Sequence, residues 1–289
     1  MKHEWTMPRI DICETIRQID FPETVWEWID LFEYVVGETQ RETIYQEGAF
    51  LADTPFRKIL LCTINKDLSA LIAIYTLLRC ELIHQAASYV RLFCESLITL
   101  KYISLESGSR SDLFWGYASI EAYEISSSLL EWESNKANPE DVERVKTFKK
   151  TVSEEYERTK EAYTFVDKNG RRRSFSNWCN KNMFEQAQKC GSDFQKLYEL
   201  VYKQMSSYIH GTAWSLRRQV SYSRAHYQPT VILNDIAAII RTTIAVWVEW
   251  AKFLIEILGW KLSDTIKEVV STLEEMEERH FRRRIICHA

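Results

Sequence analysis

Apolar residues recur along this chain at three- and four-residue intervals, in runs separated by short polar breaks. Trp26, Ile29, Leu31, Phe32 and Val35 predict a helix that opens at Phe21-Pro22-Glu23-Thr24 and closes at Gly37. Residues 38–52 show no clear period. Asp53-Thr54-Pro55 is a helix start, with Asp or Thr as the cap and Pro in the first turn. Ile59, Leu60, Ile64, Leu68, Leu71, Ile72 and Tyr75 carry that helix to about Leu78. After a short break, Arg79 to Leu105 reads as one long helix that is apolar on nearly all sides, the signature of a buried element.

Ser107-Gly108-Ser109 predicts a turn, and the spacing from Phe114 to Trp132 a helix over 111–134. Asn138-Pro139-Glu140-Asp141 caps a helix over 140–165, with acid in the first turn where the helix dipole favours it. That helix is charged except for one narrow seam and reads as solvated. Residues 166–176 read as loop, built on the turn chemistry of Lys168-Asn169-Gly170. Short helices follow at 180–189 and 192–210. A long apolar helix covers 230–258, Gly259 stops it, and Ser263-Asp264 starts a last amphipathic helix that ends in a basic tail.

The fold these elements predict is all-α: a single domain, a bundle of long antiparallel helices with a helical insertion. Its parts are an N-terminal helical arm (1–52), a core helix pair (53–108), a charged helical insertion (109–176), core helices (177–262) and a C-terminal amphipathic helix with basic tail (263–289). Composition narrows the class further. A hydrophobic content of 46% and an aromatic content of 13% exclude disorder, and eight glycines and five prolines in 289 residues favour helices over turn-rich sheets. The net charge of −4 provides no global basic field for nucleic acid.

Seven cysteines, an odd number without a C-x-x-C pair, fit a reducing cytoplasm. The N-terminus carries no signal-peptide apolar core. Lys66 and Asp67 interrupt one apolar helix, and Arg241, Glu249 and Lys252 another, so neither is expected to supply the roughly 20 apolar residues that span a bilayer. No P-loop, no glycine-rich dinucleotide turn and no His-Glu-x-x-His is present. The expectation is a soluble cytoplasmic protein with no cofactor, no metal and no membrane partner.

Two polar groupings stand out. On the central helix, His84, Ser88, Arg91, Glu95 and Tyr102 fall within roughly 60° of one another at about 100° per residue. A charged line on a buried helix must be satisfied from elsewhere in the fold. On the later helix, Glu199, Tyr202, Ser206 and His210 share one face within roughly 80°. A histidine beside serine and tyrosine serves as a general base, a ligand donor or a satisfied core residue. Three basic clusters, Arg171–Arg173, Arg217/Arg218 and Arg282–Arg284, read first as solvated charge. Meeting on one face, they would suit RNA or an acidic partner, with Phe175, Trp178, Trp214 and Tyr222 either stacking bases or filling the core.

The order Arg91-x-x-x-Glu95, helical insertion, Asn177-Trp178, then Tyr202…Ser206-Ser207…His210-Gly211 resembles a bacterial all-helical family of unknown function over roughly residues 55–250. In general shape that family is similar to HEPN (higher eukaryotes and prokaryotes nucleotide-binding) helical bundles. The resemblance implies an HEPN-like fold and, in many such proteins, a metal-independent RNase of defence or toxin systems with an Arg-x(4–6)-His motif working across a dimer. Arg79-x4-His84 fits that spacing, as do Arg283-x4-His288 and Arg282-x5-His288, but Cys80 stands where those nucleases usually carry a polar residue.

Two readings follow. In the first, Arg91, Glu95, Ser206 and His210 converge as a catalytic pocket for RNA or a nucleotide, with Arg79 and His84 as second choice. In the second, the chain is a non-enzymatic interaction or scaffold protein, and the same residues form a structural polar lock. Ten tryptophans and long apolar helices suggest a homodimer or another partner protein.

Overall fold

The first helix, Glu23–Glu47 (α1), runs ten residues past the stop expected at Gly37. The reason lies in its buried face. Val25, Trp28, Ile29, Phe32, Val35 and Val36 are buried, and Thr39 and Thr43 extend the same stripe. Both threonines donate their hydroxyls to the carbonyls one turn back, Val35 (2.7 Å) and Thr39 (2.8 Å), which satisfies them on a buried face. A mid-helix glycine costs about 1 kcal/mol, less than this burial returns.

The computed structural model describes residues 23–47, 53–133, 139–209 and 229–287. Among the described residues the arrangement is all-α apart from one small hairpin. Pro55–Arg79 (α2) begins where Thr54 Oγ1 accepts the Arg57 N–H (3.2 Å). Arg79 is its last residue, not the start of the next helix. The chain leaves α2 through Glu81, which has a φ of 56°. The Glu81 N–H bonds the Leu78 carbonyl, and the Leu82 N–H reaches back to Leu77 (2.8 Å). This pattern closes a helix end around a left-handed residue, a position usually given to glycine. Ile83–Ser104 (α3) follows.

The turn expected at 107–109 lies two residues earlier, at Leu105-Glu106, and Ser107–Glu133 (α4) starts at once. Arg110 makes that tight connection. Its guanidinium lies 3.9 Å from the Tyr102 ring centroid, donates to the Tyr102 carbonyl (2.6 Å) and pairs with Glu106. Pro139–Thr159 (α5) has no buried residue, as its charge pattern implies. It packs on α4 through the stacked rings of Tyr123 and Tyr156 (3.9 Å) and a Ser119–Thr159 hydroxyl pair (2.8 Å).

Residues 166–176, expected as loop, include half of a hairpin. After a 3₁₀ turn (Lys160–Tyr163), Thr164–Val166 (β1) pairs antiparallel with Arg172–Ser174 (β2), Phe165 opposite Arg173. Strands of three residues are too short to show alternation in sequence. The turn is made by Asp167, whose Oδ1 accepts the Asn169 and Arg171 N–H groups, and by Gly170 at φ 75°. Arg173 pairs with Asp167 (2.7 Å) and Arg172 with Glu161, so the basic run braces the hairpin. Trp178 is buried edge-on against Tyr102 and Phe114, and Phe175 meets Tyr163 and Phe165. Trp178 fills core, while Phe175 is half-buried. Trp214, Tyr222, Arg217 and Arg218 lie outside the described residues.

Met183–Cys190 (α6) carries a capping box between Asn182 and Glu185. Ser192–Leu197 (α7) and Lys203–Ile209 (α8) are joined without a break by a π-helical turn, Tyr198–Tyr202. Pro229–Leu258 (α9) stops at Gly259, φ 70°. Ser263–Cys287 (α10) remains helical through the basic tail.

By packing, the chain groups into one unit of residues 1–50, 64–97 and 196–289, and another of 51–63 and 98–195. The first is centred on α9. Trp247 donates its indole N–H to Thr39 Oγ1 (2.9 Å), and Trp250 donates its own to Asp67 Oδ2 (2.9 Å). Phe93 and Trp260 meet the Trp250 ring edge-on. The second unit is built on the α4–α5 pair, the hairpin and the aromatic cluster around Trp178. By length and composition α2 could cross a membrane, contrary to the expectation from Lys66 and Asp67; much of its apolar face, including Ile64, Leu71, Ile74 and Leu78, is packed inside the protein.

Thr39→Val should keep the shape of the α1–α9 contact and leave a buried indole N–H unpaired. The expected loss is about 1–3 kcal/mol of stability, read by urea unfolding.

Candidate anion-binding site around Arg91

Arg91 sits near the middle of α3, on the polar line of that helix, with a side chain 18% exposed. Its Nε donates to Ser206 Oγ (3.0 Å) and its Nη2 to the Tyr202 hydroxyl (2.8 Å). Nη2 also lies 3.2 Å from Glu95 Oε2, one turn along the same helix. The guanidinium carbon is 4.8 Å from the Tyr202 ring centroid, within cation–π range. The two polar faces read from the sequence therefore meet through Arg91, Glu95 and Ser206. His210, the fourth residue of that set, lies outside the described residues.

Local backbone geometry prepares this contact. In the π turn the Lys203 N–H bonds the Tyr198 carbonyl, five residues back. Such single turns inside α-helices recur at functional sites. Tyr202 stacks on Tyr198 (5.2 Å) and is held under the guanidinium. The thiol of fully buried Cys94 fills the space behind the turn, 3.8 Å from the Leu197 carbonyl. Burial pushes the Cys94 pKa up to about 12, so it stays a thiol and packs as a small apolar group.

Ser206 donates its proton to the Tyr202 carbonyl (2.7 Å) while it accepts from Arg91. With donor and acceptor both engaged, the hydroxyl acts to orient the guanidinium. Tyr202 was legible as a member of the second polar face but not as a partner of Arg91. The signal was its i,i+4 spacing to Ser206. The π turn has no mark in the sequence.

The second-choice pair is arranged differently. Arg79 closes α2, where it donates to the Tyr75 hydroxyl (3.1 Å) and faces the rings of Trp26 and Tyr75. Tyr75 in turn donates to Glu33 (2.5 Å). His84 stands in the first turn of α3, half-buried, beyond the break at Glu81. The other two matches to the arginine–histidine spacing end on His288, outside the described residues. Among the described residues no three His, Cys, Asp or Glu side chains gather as a metal site.

Sequence reasoning passed over Asp67. It is completely buried in α2, its Oδ2 receives the Trp250 indole, and Ser96 faces the same carboxyl. Burial, the largest influence, raises its pKa to about 7. It appeared in the sequence only as a charge interrupting an apolar helix.

These features define an all-α protein with an arginine anchored between helices distant in sequence. A family of unknown function (DUF5677) matches residues 57–226, more than half of the chain, and the chain belongs to that family. The matched span contains Arg91, Glu95, Tyr202 and Ser206. Neither a curated protein nor a solved structure matches the chain.

Proposed function

We propose that Arg91 is the phosphate-binding group of an HEPN-like protein acting on RNA or nucleotides. One observation carries this reading: Ser206, Tyr202 and Glu95 fix the guanidinium along Nε and Nη2, while Nη1 has no partner among the described residues. A guanidinium held in this way can receive a phosphate oxygen without reorganising. Glu95, about one-third exposed, would hold the arginine in plane beside the ligand. His210, four residues beyond Ser206 in the sequence, is assigned the proton transfer, and Arg79 with His84 remains the second choice. The resemblance to HEPN bundles supplies the reaction class, with arginine stabilising charge at phosphorus and histidine moving a proton. It also suggests a setting in prokaryotic defence.

A second reading is favoured by the pairing itself. Arg91 already has three polar partners, one of them a carboxylate, which suits a tie that fixes helix register in a non-enzymatic interaction protein. Total RNA incubated with the protein separates the two. Cleavage should fall at least tenfold in His210→Ala and persist in His84→Ala. Equal cleavage by all three proteins would remove both histidines from the mechanism. No cleavage, together with no binding of phosphate or mononucleotides, would leave the structural tie.

A further inference from the structure

Six residues of α4, Trp115, Ala118, Ala122, Ile125, Leu129 and Trp132, follow one another at intervals of three, four, three, four and three. That is the strict heptad seam of a coiled coil, narrower than the stripe a helix presents to a globular core. Yet the seam is not covered. Trp115, Ile125, Leu129 and Trp132 are 52%, 58%, 42% and 60% exposed, and Ala118 is exposed as well. The contacts of α4 with α5 use other positions, Ser119 and Tyr123, and leave this line free. Against an ideal helix the seam drifts by about 20° per heptad, the drift that a left-handed pair of helices absorbs.

We propose that the α4 seam pairs with the same seam of a second copy of this chain, in antiparallel orientation. The pattern of sizes selects this occupant. About a two-fold axis between residues 123 and 124, Ala118 faces Leu129 of the second copy, Ala122 faces Ile125, and Trp115 faces Trp132. Each branched side chain meets an alanine, and the tryptophans close both ends. In a parallel pair in register, Ala118 and Ala122 would each meet themselves and leave two thin layers beside the bulky ones. The flanking positions are mixed: Glu121 comes opposite Ser128, where no like charges meet, but Asp112 comes opposite Glu133 at each end of the pair, so the apolar seam and not its charged flanks carries the pairing.

Area agrees too. The four large side chains offer on the order of 450 Å² per copy, and the pair reaches about 900 Å² before flanking residues are counted. The floor for a specific interface is about 1,000 Å². A patch of about 450 Å² is in the range of the largest apolar patch on a single chain, which is often functional.

Sedimentation or light scattering at about 100 µM should give a dimer. Ile125→Glu with Leu129→Glu should raise the dissociation constant at least 100-fold while helix content stays unchanged, and Tm should match the parent's at concentrations low enough for the parent to be monomeric, because both side chains are exposed. Orientation is read by disulfide formation in a Cys13→Ser, Cys62→Ser, Cys287→Ser background. Ala118→Cys protein mixed with Leu129→Cys protein should give a mixed cross-linked dimer. Neither should cross-link alone, since identical positions would sit about 16 Å apart along the axis, beyond the ~7 Å that a disulfide tolerates. A monomeric parent protein, a dimer that survives the glutamates in folded form, or Ala118→Cys cross-linking to itself would each overturn the proposal. If the glutamate variant does not fold, the cysteine mixture still decides.

Discussion

At pH 8, Asp67→Asn should unfold at a higher urea concentration than the parent protein, with a gain of about 1–3 kcal/mol; at pH 4 the gain should vanish or reverse. The carboxyl is fully buried, and burial outweighs the hydrogen bonds from Ser96 and Trp250 and the charge of Lys66, all of which favour its ionised form. Its pKa stands at about 7, against 3.8 for an ordinary aspartate. Between those values the folded chain keeps a proton that the unfolded chain has released. Stability is therefore fully present below about pH 4, falls as pH rises, and levels off above about pH 7.

Three units of pKa at about 1.4 kcal/mol each set a ceiling of ~4 kcal/mol on that fall. Asparagine keeps a carbonyl for the Trp250 indole and cannot ionise. Its amide hydrogens need partners at Oδ1, which has no hydrogen-bond partner among the described residues, and this takes about 1–3 kcal/mol from the ceiling. Urea unfolding at pH 4, 6 and 8 measures the effect. A difference between the two proteins that does not change with pH would show that Asp67 does not titrate in this range.

Arg91→Gln should weaken binding of inorganic phosphate or a mononucleotide by about 10–100-fold, the value of one or two charge-assisted hydrogen bonds. Arg91→Lys should recover only part of the loss. An ammonium restores the charge but not the planar fork that meets Ser206 and Tyr202 at once. Tyr202→Phe keeps the ring beneath the guanidinium and removes one hydrogen bond, so its effect should be several-fold at most. Equilibrium dialysis reads all three. If the parent protein binds no phosphate and Arg91→Gln loses only about 1–3 kcal/mol of stability, Arg91 ties helices together and does nothing more.

Most of the helices were legible because an apolar residue every third or fourth position has one economical explanation. Pro55 and its cap, Gly259 and the Ser263-Asp264 start stand where their local chemistry put them. The misreadings share a cause. Gly37 and Ser107-Gly108-Ser109 carry a local preference for a break, and packing overrode it, in α1 through two buried threonines whose hydroxyls bond the carbonyls one turn back. At Glu81 the opposite happened: a break fell on a residue with no preference for it. The hairpin was hidden because its strands are only three residues long.

Of the candidate site, the sequence alone determined the helical class, the two polar faces and the residues on them, because helical periodicity is a local property that spacing records. It could not determine that Arg91 reaches Ser206 across 115 positions, that Tyr202 slides under the guanidinium through a π turn, or that Asp67 faces a tryptophan. Those are contacts between segments far apart in the chain. Their partners are chosen by which apolar faces close on one another, and that choice exists only once the helices are packed.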